Sequence, residues 1–202
     1  MLTLKNSSGT RLAMLFEGGL VVLAGSLVVV LAWWPGWHLW QSIWPPGPAL
    51  PGAVLSGVLG TVPLVGCYLL LARMTWPPLV QLRRETVRVA RLLLGDASTW
   101  ELAVVSALAG IGEELLFRGV VQPVVAHLTT PVIGLIAASL LFGLAHCLTW
   151  VYFSFATLIG LYLGLLALLF GEIVTSAVVH GLYDFVVLVH VLKLGYRRGI
   201  RT

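Results

Sequence analysis

The sequence predicts an all-α integral membrane protein, a bundle of about six transmembrane helices, and three observations lead there. Of 202 residues, 59% are hydrophobic and only 10% are charged, and the mean hydropathy is +1.00, more apolar than a water-soluble core. The apolar residues fall in unbroken windows of about 20, the length that crosses a hydrocarbon layer. Inside hydrocarbon every backbone N–H and C=O must be paired within the protein. That leaves helices or a closed barrel, and continuous apolar runs lack the alternation of a barrel strand.

These windows place spans at 12–34, 50–72, 99–121, 131–149, 151–170 and 172–193. The first is too long for a signal peptide and has no small-x-small cleavage site, so it reads as a retained anchor. The loop from Trp33 to Ala49 sets Pro35, Pro45, Pro46 and Pro48 among Trp33, Trp34, Trp37, Trp40 and Trp44, a composition suited to the headgroup interface. It carries no lysine or arginine. The next linker, 73–98, instead carries Arg73, Arg83, Arg84, Arg88 and Arg91. Lys5 and Arg11 lie at the N-terminus, and Lys193, Arg197, Arg198 and Arg201 follow the last span.

Of the 12 lysines and arginines, Arg118 alone departs from one side of the membrane. The positive-inside rule then gives an N-in/C-in, multi-pass protein of the cell (plasma) membrane, with 73–98 as a cytoplasmic basic linker. Between Leu79 and Leu94 apolar residues mingle with the arginines, the pattern of an amphipathic helix lying along anionic headgroups. The net charge of +4 is thus topological, and the expected partner is membrane lipid, not nucleic acid. No segment repeats and no linker separates two soluble units, so 1–202 is read as a single membrane domain. Cys67 and Cys147 lie in apolar segments without metal-ligand spacing and read as packing residues.

An ionisable residue within a span costs about 2.5–3.5 kcal/mol on insertion scales and therefore faces the bundle interior and does something there. Span three carries Glu113, Glu114 and Arg118, span four His146, and span six His180 and Asp184. Glu114 and Arg118, four apart, share a face in the favourable order for an ion pair. Glu113 points about 100° away, free to meet another helix as a general base. His180 and Asp184, also four apart, address a common point, and His146 supplies a third wall. Carboxylates and imidazoles in a lipid-free site meet the needs of water activation and oxyanion stabilisation, as peptide hydrolysis requires, without a serine or cysteine nucleophile. His38, His127 and His190 fall near span edges and receive no role. Glu17 stands alone in span one, and Glu172 sits where a helix N-terminus favours negative charge.

Glu-Glu-x-x-x-Arg at Glu113 to Arg118, Phe-x-x-x-His at Phe142 to His146 and His-x-x-x-Asp at His180 to Asp184, in that order on hydrophobic helices, resemble the CPBP family. Its members are the CAAX prenyl proteases and bacteriocin-processing enzymes, also called Abi proteins. The likeness covers roughly 99–193, the expected catalytic core. The resemblance implies an intramembrane endopeptidase acting on a membrane-associated or prenylated protein or peptide, in which Glu113 activates water with His146. It further implies that His180 and the residue at position 184 form the oxyanion hole, while Glu114, Arg118 and Phe142 support the site. Asp184 stands where the prenyl-protease branch typically has asparagine. Either burial keeps it protonated, or it holds His180 in the proton-bearing form and leaves donation to that histidine.

No cofactor is required by this reading. Zinc held by Glu113, His146 and His180 is the metal-dependent variant, though the H-E-x-x-H signature is absent. Two other classes remain in view: a proton-coupled transporter, which favours inverted repeats and broken helices in matching positions, and a non-hydrolytic immunity or scaffold protein of the same fold. The spans also set a geometric problem. They put Glu113 slightly external to the midplane and His146 toward the cytoplasmic end of its helix, so tilt and close approach at Gly110, Gly112 and Gly143 must bring the two together.

Overall fold

The computed structural model describes residues 7–33 and 43–194. Lys5, Arg197, Arg198 and Arg201, together with Trp34, Pro35, Trp37, His38 and Trp40, lie outside the described residues. Among those described, the chain is all helical: α1 (Ser7–Ala32), α2 (Leu50–Leu71), α3 (Pro77–Leu94), α4 (Thr99–Leu116), α5 (Gln122–Leu128), α6 (Pro131–Ala145), α7 (Trp150–Phe170) and α8 (Val174–Val189).

Four helical segments are long and apolar enough to cross a membrane: Ser8–Ala32, Leu50–Leu71, Trp150–Phe170 and Val174–Leu194. In the first two, only 11% of the apolar window is buried within the protein. So large an exposed apolar surface belongs against lipid. The protein is an all-α membrane protein.

Three spans differ from the sequence windows, each for a local reason. Span three, expected to end at 121, runs on as one helix to Leu128, because a π-helical turn, Phe117–Val121, joins α4 to α5. Pro123 lacks an N–H, and in a regular helix its ring would press on the carbonyl of Gly119. The wider turn, in which Gln122 N–H donates to Phe117 O, absorbs that misfit. Span four, expected to reach 149, stops at Ala145. His146 has left the helix (φ −101°, ψ 12°), and Thr149 starts the next one by accepting from Tyr152 N–H. Span six begins at Val174, with Glu172 accepting from Val174 N–H and Thr175 N–H, and continues past Val189 as a π turn, His190–Leu194.

These differences bear on how Glu113 and His146 come within 3.5 Å of each other. Extending the third helix to Leu128 moves its middle to Glu113, and ending α6 early lets His146 turn toward it. The linker 73–98 contains α3, whose Leu79, Ala90 and Leu94 are buried while Arg84, Arg88 and Arg91 are exposed. Cys67 and Cys147 are both free and exposed. They are not packing residues, because each sits on a face its helix or turn leaves uncovered.

Packing places α4 between α1 and α8, with α2 on the far side of α8 and α6 against both α5 and α7. The α4–α8 crossing depends on Gly110. A Cβ there would lie 2.7 Å from Ala177 O and 2.8 Å from Gly181 N, both backbone atoms that cannot swing aside. Gly110→Val is therefore expected to push α8 away and destabilise the protein by about 1–3 kcal/mol. A lowered unfolding midpoint in detergent checks this, and an unchanged one would mean that the crossing tolerates a side chain.

Candidate active site

The centre of the site is a charge cluster inside the bundle. Glu114 and Arg118 sit one helical turn apart, and Arg118 Nη1 donates to Glu114 Oε1 at 2.8 Å with both side chains fully buried. The other arm of Arg118, Nη2, donates to Gly160 O of α7 at 2.8 Å. Its guanidinium lies 4.7 Å from the centre of the Phe142 ring, a cation–π contact in a desolvated setting. Glu114 Oε1 also lies 3.0 Å from His180 Nδ1 on α8. Since that oxygen belongs to a carboxylate already paired with arginine, the ring nitrogen is the donor. The Glu114–His180 bond is a feature the sequence did not reveal: helical spacing relates Glu114 to Arg118, but nothing in it relates α4 to α8.

Glu113, the next residue, faces the other way. Its Oε2 is buried without a hydrogen-bond partner and lies 3.5 Å from His146 Nε2. The opposite nitrogen of His146, Nδ1, donates to Phe142 O at 2.9 Å. The end of α6 thus sets the ring: the carbonyl left open by the last helical turn takes the Nδ1 proton, and in the neutral imidazole Nε2 then carries a lone pair toward Glu113. Phe142 packs between the two histidines, 4.5 Å from the His146 ring and 5.7 Å from the His180 ring. Asp184 Oδ2 is 3.5 Å from His180 Nε2, and its side chain is about one-third exposed. All seven residues singled out from the sequence thus belong to one connected cluster, with Glu114 joining the Arg118 and His180 sides.

The cluster opens onto a cavity of about 370 Å³. Glu113, His146, His180 and Asp184 line one part of it. Leu64, Tyr68 and Leu71 of α2, and Leu79, Leu82 and Arg83 of α3, also contribute to the lining. Glu17 of α1 and Tyr152 and Tyr183 also reach it. Sequence reasoning left Glu17 without a role, although the insertion cost that singled out the other ionisable residues applied to it equally. Tyr68 Oη and His190 Nδ1 share a hydrogen bond at 2.7 Å, and His127 lies on α5, away from the cavity lining.

Glu113, His146 and His180, the trio that zinc would need, do not gather round one point. Among the described residues no group of three or more His, Cys, Asp or Glu side chains is arranged to hold a metal ion, and His180 Nδ1 is already engaged by Glu114.

Residues 95–186 match the Rce1-like family model, described as type II CAAX prenyl endopeptidase Rce1-like. The matched stretch begins just before α4 and ends within α8 beyond Asp184, so it holds all three motifs and the whole charge cluster. This match, over 92 of the 202 residues, supports a likeness to the CPBP family of intramembrane peptidases. Comparison with curated proteins and with solved structures returned no match. Together with the apolar helices, the match points to a multi-pass membrane protein similar to CAAX-type proteases.

The cluster predicts opposite consequences for neighbouring glutamates. Glu114→Ala leaves Arg118 charged, buried and unpaired, and is expected to cost about 3–5 kcal/mol. Glu113→Gln removes a charge with no bonded partner and is expected to leave stability within about 1 kcal/mol of wild type or raise it. Unfolding midpoints of the two variants in the same detergent decide the matter. Equal losses would mean that Glu113, too, is a structural charge.

Proposed function

We propose that the chain is an intramembrane endopeptidase that hydrolyses a peptide bond of a membrane-associated or prenylated protein or peptide by glutamate- and histidine-activated water. The observation that carries this reading is the pair of acceptors facing each other across 3.5 Å, Glu113 Oε2 and His146 Nε2, at the edge of a largely apolar cavity. Two acceptors at that separation do not bond each other, but one water can donate to both. Its oxygen then turns a lone pair toward a carbonyl in the cavity.

In the reaction so inferred, the water oxygen bonds to the substrate carbonyl carbon while Glu113 takes its proton. The carbonyl becomes an oxyanion. His180, with Nδ1 tied to Glu114 and Nε2 directed into the cavity, stabilises that charge, and Asp184 beside Nε2 keeps a proton there. The 3.5 Å approach of Asp184 Oδ2 to His180 Nε2 supports the second of the two roles considered for Asp184. When the oxyanion collapses, the C–N bond breaks with its electron pair on nitrogen, which receives the proton held by Glu113. The products are an acid and an amine, and no external reductant, oxidant or metal enters.

The same proposal sets six helical passages in the plasma membrane with both termini and α3 on the cytoplasmic side. Exposed Arg84, Arg88 and Arg91 would rest against anionic headgroups there. The Rce1-like match supports a substrate of the CAAX type, and the leucine-rich wall from α2 and α3 suits an apolar or lipidated chain.

Incubating wild type and Glu113→Gln in nanodiscs with a library of membrane peptides, and reading products by mass spectrometry, tests this. Cleavage is expected from wild type and about 10²–10⁴-fold less from Glu113→Gln. Equal turnover by both would remove Glu113 from the chemistry. Chelation is expected to leave wild-type cleavage unchanged, whereas loss restored by added zinc would overturn the metal-free mechanism.

A further inference from the structure

Among the described residues, Glu17 is the one carboxylate lining the cavity that the hydrolysis above does not use. Glu113 faces His146, Asp184 faces His180 Nε2, and Glu114 is held by Arg118 and His180. Glu17 Oε2 is buried and without a hydrogen-bond partner among the described residues, and Glu17 is the sole α1 residue of the cavity lining. Its position is enforced by backbone packing. A Cβ on Gly112 would lie 3.2 Å from Val21 N and 3.3 Å from Glu17 O, so α1 approaches α4 closely one residue before Glu113. An acidic side chain within a span, aimed into a cavity and unmatched by any donor, is costly unless a ligand supplies the donor.

We propose that Glu17 is a leaving-group subsite: its carboxylate accepts from the scissile-bond nitrogen side of the substrate and then holds the amine of the departing peptide. This rests on the hydrolase reading. When the C–N bond breaks and nitrogen takes the proton from Glu113, a new amine appears in a cavity otherwise lined mostly by apolar and aromatic side chains, with Arg83 on the α3 wall. At neutral pH that amine accepts the proton of the new carboxylic acid and becomes an ammonium. An unpartnered carboxylate on the α1 wall gives that charge a counter-ion, and the bond is a charge-assisted one, stronger than a neutral pair. Glu17 is thereby a binding residue for the α-amine that cleavage of a peptide bond releases.

The test uses the full-length protein in nanodiscs and two probes, an apolar tetrapeptide amide with a free N-terminus and its N-acetylated counterpart, with binding followed by intrinsic tryptophan fluorescence. Wild type is expected to bind the free amine about tenfold or more tightly than the acetylated peptide. Glu17→Gln and Glu17→Leu are expected to bring the two affinities within about twofold, chiefly by weakening the free amine. Equal affinities in wild type, binding of neither probe, or a preference that survives both substitutions overturns the subsite. Cleavage independent of Glu113 would instead overturn the hydrolytic reading and leave an amine preference at Glu17 standing, so the two failures are distinguishable.

Discussion

One oxygen atom organises the interior of this protein. Glu114 Oε1 accepts from Arg118 Nη1 at 2.8 Å and from His180 Nδ1 at 3.0 Å, which ties α4 to α8, and the second arm of Arg118 reaches the Gly160 carbonyl of α7. Three helices thereby meet on a pair of charges from which water is excluded. Such a pair is weak evidence of net stability, since hydrophobic replacements often do as well, but either member alone is a large liability. The gain is in geometry: the pair fixes helix rotation and depth, which lipid-facing leucines cannot do because lipid tails are as apolar as they are.

That fixed rotation gives adjacent glutamates different work. Glu114 points inward to arginine and histidine, while Glu113, about 100° further round, reaches the cavity and His146. The glycines on the same helix act with them. Gly110 lets the backbone of α8 approach, and Gly112 lets α1 approach. The bare surfaces of α4 therefore decide which helices can bring side chains to Glu113.

His146 shows why a helix ends where it does. In a longer α6 the Phe142 carbonyl would accept from the backbone N–H of His146 itself, which here turns to Gly143 O. At the helix end that carbonyl is free, the ring is held by it at 2.9 Å, and Nε2 is left for Glu113. The short non-helical connection to Thr149 is thus part of the site's geometry, and Phe142 packs against both histidine rings and the Arg118 guanidinium at once.

The sequence by itself determined the membrane-helical class, since unbroken apolar windows and backbone pairing in hydrocarbon admit little else. It also singled out Glu113, Glu114, Arg118, His146, His180 and Asp184, because each interrupts such a window. Pairings within one helix, Glu114 with Arg118 and His180 with Asp184, followed from a spacing of four. Tertiary structure decided what no periodicity encodes: the Glu114–His180 bond between α4 and α8, the π turn at Pro123 that puts Glu113 midway along its helix, the early end of α6, and the arrival of Glu17 at the cavity. Local spacing fixes only which residues share a helix face. Which faces meet depends on the absence of a Cβ at Gly110 and Gly112, and on a buried charge pair that tolerates a single alignment of three helices.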